Sequence, residues 1–162
     1  MMVQVDIVCG SITSRDALRL VSSLTGDKNV TLESEKTYPY YCFDVHCSVP
    51  TLAGRKDVSV LCLVDAVNGL GATADRFESG KASVRQENLL VAKIDNDAAA
   101  EIARRTVTHS MGRKLRMIAT FEVALMPRGI VHKRFWIVRS RESRIMVDST
   151  TGKLHPLTLK VA

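Results

Sequence analysis

Val64-Asp65-Ala66-Val67-Asn68-Gly69 and Val147-Asp148-Ser149-Thr150-Thr151-Gly152 are two occurrences of one pattern, V-D-x-x-x-G. In each, an apolar strand residue precedes an Asp whose carboxylate can accept backbone amides two residues on. The closing Gly supplies a positive φ. Both hexapeptides therefore read as a strand running into a tight turn. Catalytic or metal-binding roles for Asp65 and Asp148 are the alternative, but no second acid or histidine accompanies either one locally.

The same order of elements leads up to both turns. Thr13 or Ser14 can cap a first helix, with Asp16 in its first turn. Ala17, Leu18, Leu20, Val21 and Leu24 recur at helical spacing, and Gly26 closes the segment. Asp95, Asn96 and Asp97 offer caps for a second, alanine-rich helix over 98–111, stopped by Gly112. Strands are expected after each helix: 30–36, 38–47 and 58–64 in the first half, then 115–126, 133–139 and 144–148 in the second. Pro39 belongs at the beginning or edge of its strand. Pro127, Arg128 and Gly129 mark a turn. Residues 3–8 and 89–94 read as further strands, and 72–88 are too polar to assign. The helix-ending glycines lie 86 residues apart and the closing glycines 83 apart, which suits an internal duplication. The expected fold is α+β: two copies of a helix–three-strand unit, residues 1–94 and 95–162, in one compact domain. Antiparallel sheet would carry the helices on its apolar face.

A helix followed by three strands and closed by V-D-x-x-x-G resembles the PepSY-like family of small α+β modules, as two diverged copies. The resemblance implies a non-catalytic module that inhibits or regulates a partner. Members of that family are frequently found outside the cytoplasm. This chain departs in showing no export signal near Asp6, so a cytoplasmic location is expected.

The 162 residues are 46% apolar and 25% charged, a globular balance that excludes a disordered or collagen-like chain. No apolar run approaches the roughly 20 residues of a membrane helix. The net charge of +6 is unevenly placed. Residues 1–97 hold 10 basic against 13 acidic side chains, whereas residues 98–162 hold 13 against 4. Arg104, Arg105, Thr108, His109 and Arg113 fall away from the apolar stripe of the second helix. Lys114 and Arg116 follow, and Lys133, Arg134, Arg139, Arg141 and Arg144 come later. Such a strip suits phosphates, and so a nucleic-acid partner. It equally suits a solvated helix face and charged sheet edges that resist aggregation.

Six of the eight aromatic residues sit in two strands: Tyr38, Tyr40, Tyr41 and Phe43, then Phe135 and Trp136. Tyr38, Tyr40, Phe135 and Trp136 form the candidate patch for stacking bases, lining a ligand site or meeting a second copy in a homodimer. Core packing is the competing role, foremost for Tyr41 and Phe43.

No phosphate loop, G-x-S-x-G or H-E-x-x-H is present. Cys42, His46 and Cys47 cluster, with Cys62 downstream. In a strand, however, 42 and 46 face one side and 47 the other, which does not suit one metal ion. Buried free thiols are the expected state of the cysteines. The residues thus point to a non-enzymatic module, without cofactor or metal, that recognises a protein or small ligand. The alternative is a nucleic-acid-binding protein that uses the basic half.

Overall fold

The computed structural model describes residues 1–115 and 122–157. The elements run in the order β1 (Met2–Val8), α1 (Ser14–Thr25), β2 (Thr31–Thr51), β3 (Gly54–Asp65), β4 (Gly71–Ala74), β5 (Ser79–Arg85), α2 (Asn96–Leu115), β6 (Glu122–Arg139), β7 (Arg144–Asp148) and β8 (Leu154–Leu157). A single 3-10 turn, Gln86–Asn88, follows β5.

The expected pair of helix–three-strand copies does not form. Among the described residues strand far outweighs helix, in one mixed sheet of eight strands. Its order is β4-β3-β2-β6-β1-β5, with β7 on β6 and β8 on β7. Mixed character comes from a parallel contact, Ile7 opposite His132 between β1 and β6. Two strands also outgrow their expected limits. β2 absorbs the two strands expected over 30–47, with Pro39 in its interior, and β6 runs straight through Pro127-Arg128-Gly129. The physical reason is range. Helix caps and Asp turns are decided within five residues of chain, whereas strand pairing is decided by partners far away in sequence.

The backbone divides into two compact units, each assembled from separate segments. The first comprises residues 1–38, 78–90 and 132–162. Here Thr13 and Asp16 form a reciprocal capping box on α1: the Asp16 amide donates to Thr13 Oγ1 (3.1 Å) and the Thr13 amide to Asp16 Oδ2 (3.0 Å). The apolar face of α1, Ala17 and Val21, is buried against Val138, Ile145 and Val147 of the β6–β7 hairpin. Each fully buried valine stabilises the fold by about 1.5–3 kcal/mol. The Ile12 amide donates to the Ser149 carbonyl (3.0 Å), tying the entry of α1 to the turn after β7. The helix of the first half thus rests on strands of the second half. β5 pairs antiparallel with β1 from Met2–Arg85 to Val8–Ser79.

The second unit comprises residues 39–77 and 91–131. β2 and β3 pair in register, Phe43 opposite Cys62 and Val45 opposite Val60. Phe43, Val45, Cys47, Val49, Cys62 and Val64 meet Ala99, Ala103, Val107 and Met111 of α2. Small alanines on the helix let it sit close to the sheet. Asp95 caps α2 by accepting the Ala98 amide at 2.8 Å.

The two V-D-x-x-x-G segments are turns of the same construction. Asp65 Oδ1 accepts the amides of Val67 (2.8 Å) and Asn68 (3.1 Å). Asp148 Oδ1 accepts those of Thr150 (2.8 Å) and Thr151 (3.3 Å). Gly69 and Gly152 close the turns at φ +71° and +74°, each donating its amide to the Asp carbonyl at 2.8 Å.

Candidate functional site

The basic residues of the strands face carboxylates. Within the first unit, Lys133 Nζ lies 2.9 Å from Asp148 Oδ2, both side chains largely buried. Arg134 Nε is 3.2 Å from Glu35, and Arg144 reaches Glu33 at 2.6 Å with Arg139 close by at 3.7 Å. Within the second, Arg128 pairs with Asp44. Arg128, Arg134, Arg139 and Arg144 therefore meet acids supplied by β2, and Lys133 meets the acid that ends β7. Lys133 and Arg134 also lie over the rings of Phe135 and Trp136, at 5.4 and 5.5 Å.

The aromatic candidates are drawn into packing. Tyr38 meets Phe135 edge to face at 5.0 Å, and its hydroxyl points at the sulfur of Met146 (3.8 Å). Phe135 is buried. Trp136 packs beside the α1 cluster and donates its indole N–H to the Ile12 carbonyl at 3.0 Å. Tyr40 belongs to the second unit, where it stands half-buried on β2 opposite Asp65.

What remains open lies on α2. Arg104 is exposed and donates to the Val123 carbonyl at 3.0 Å. Arg105, His109 and Arg113 are exposed, and their spacing of four stacks them on one helix face. The side chain of Lys114, and all of Arg116, lie outside the described residues. His109 and Arg113, with Thr106 and Ser110, form one wall of an open cleft of about 670 Å³. Gly71, Ala72 and Thr73 of β4 form the other wall. Sequence reasoning found the helix side of this cleft and missed the strand side, because residues 72–88 carry no apolar alternation. A second cationic groove, of about 560 Å³, lies along α1 between Arg15, Arg19 and Lys28.

Nucleophile chemistry finds little support among the described residues. Burial pushes the thiols of Cys42 and Cys47 up, and that of Cys62 up to about 11, disfavouring thiolates. His46 Nδ1 is 2.8 Å from Ser59 Oγ across the β2–β3 ladder, exposed and with no described carboxylate bonded to the ring. No group of three or more His, Cys, Asp or Glu suited to a metal ion occurs among the described residues. No helix among them is long and apolar enough to cross a membrane.

Two titrations in the first unit set an acid response. Burial holds His132 below its ordinary 6.5, partly opposed by the carbonyl and charge of Asp6. Burial raises Asp148, but the Lys133 ammonium and the Thr150 and Thr151 amides outweigh it and leave the carboxyl below 3.8. A depressed His contributes stability that is whole above 6.5 and falls as pH drops toward its folded value. The Asp148 contribution is whole above 3.8 and is lost as pH falls through its lower folded value. Urea midpoints measured against pH should therefore decline in two steps, and His132→Gln should flatten the upper one. An unchanged upper step in that variant contradicts the assignment.

Comparison with protein-family models, curated proteins and solved structures finds no match.

Proposed function

We propose that this chain is a non-enzymatic binding module of the cytoplasm that recognises a protein partner through the outer face of α2 and the cleft beside it. The observation that carries the reading is the division of the cations. Those of β6 and β7 face internal carboxylates, while Arg105, His109 and Arg113 stand exposed in one row beside an open cleft. Small-ligand sites are typically enclosed, and this cleft is open, which favours a macromolecular partner. The nucleic-acid alternative draws on the same α2 row but not on the strand cations, whose pairing removes much of the phosphate-neutralising strip.

The test is capture on the immobilised chain from cell extract with and without nuclease treatment, beside an Arg105→Glu/Arg113→Glu variant. A protein retained by the native chain and lost in the variant is the expected result. Retained material that vanishes with nuclease treatment would transfer the function to nucleic acid.

A further inference from the structure

We infer that the cleft receives an extended acidic segment of a protein partner as an added strand on the free edge of β4. The inference rests on the binding-module reading and specifies what binds and how.

β4 ends the strand order, and among the described residues its ladder partner is β3 alone. In an antiparallel ladder, alternate residues turn their N–H and C=O toward the neighbouring strand and the others turn them away. The Asp65 amide donates to the Leu70 carbonyl at 2.8 Å, which sets the phase. Leu63–Ala72 and Leu61–Ala74 are then the bonded pairs. Gly71 and Thr73 direct their backbone donors and acceptors outward, where no other described residue takes them up.

This edge is short, but its side chains offer no further protection. Gly71-Ala72-Thr73-Ala74 contains no Pro, no Lys and no charge, so nothing in it repels an added strand. The helix stands close beside it. A Cβ on Gly71 would collide with Thr106 Oγ1 and come within 3.1 Å of the Ile102 side chain. Edge strand and helix are thus two walls of one groove, a geometry that accepts an extended peptide through main-chain bonds. Charge selects the peptide. Arg113 brings a positive charge to the groove beside His109, Thr73 and Ser110, and no carboxylate among the described residues lines it. An acidic segment complements that lining, and a basic one is repelled.

The probe is a fluorescein-labelled octapeptide of alternating glutamate and valine, followed by fluorescence anisotropy. Its lysine–valine counterpart and a version N-methylated on alternate peptide nitrogens are the controls. The native chain should bind the acidic peptide, and the N-methylated one about tenfold or more weakly, since outward main-chain bonds are lost. Thr73→Pro removes an outward N–H while sparing the bonds to β3, and should weaken binding by a similar factor. Arg113→Glu, on an exposed helix position, should weaken the acidic peptide about tenfold and improve the lysine peptide. Equal binding of the methylated peptide, or of the native peptide to Thr73→Pro, overturns strand addition. If the acidic peptide does not bind but capture still yields a protein dependent on Arg105 and Arg113, strand addition fails and the module reading stands. If neither occurs, both fall.

Discussion

Asp148→Ala should destabilise the chain by about 3–5 kcal/mol, the cost of breaking a buried ion pair from one side. Its carboxylate does three jobs at once. Oδ2 receives the Lys133 ammonium at 2.9 Å, and Oδ1 receives the amides of Thr150 and Thr151. The side chains of Lys133 and Asp148 are only 16% and 7% exposed, so water cannot replace what the alanine removes. Against a total of roughly 5–15 kcal/mol, this loss brings the protein close to its unfolding midpoint without denaturant. Lys133→Met should cost less, because the carboxylate keeps its two amides and the methionine fills the same volume. The double variant Lys133→Met/Asp148→Asn should recover part of the Asp148→Ala loss, since no charge is then buried alone. Urea unfolding of the three variants measures this order. A loss below about 1 kcal/mol in Asp148→Ala would show the pair to behave as an exposed one.

Phe43→Ala should cost a similar amount, about 3–5 kcal/mol, for a different reason. Phe43 is 1% exposed and is the largest fully buried side chain of its cluster, opposite Cys62 and beneath α2. Truncation leaves a cavity that the small residues Ala99 and Ala103 cannot fill. Phe43→Leu retains most of the volume and should cost clearly less. Hydrogen exchange locates the effect: amides of α2 should lose protection in Phe43→Ala. If α2 exchanges as in the native chain, Phe43 does not hold the helix to the sheet.

Legibility followed range. The first helix was readable because its caps, Thr13, Asp16 and Gly26, lie within or next to it. The Asp65 and Asp148 turns were readable because each closes on amides two and three residues away. β5 was not, because Ser79–Arg85 holds only two apolar side chains, Ala82 and Val84. It is a strand because β1 offers seven residues to pair with. Half of the candidate site followed from the spacing of Arg105, His109 and Arg113. The other half, the outward edge of β4, depends on a ladder phase that no local pattern encodes.

By itself, the sequence determined the first helix, the body of the second though not its end, which passes Gly112 to reach Leu115, the two Asp turns and the cation-rich face of α2, all products of hydrogen bonds and periodicity over a few residues. Only the tertiary structure decided that α1 rests on the β6–β7 hairpin and that the arginines of β6 and β7 meet Glu33 and Glu35. Those partners lie about a hundred residues apart along the chain. Burial of a shared apolar face brings them together, and that is a property of the assembled sheet rather than of any stretch of it.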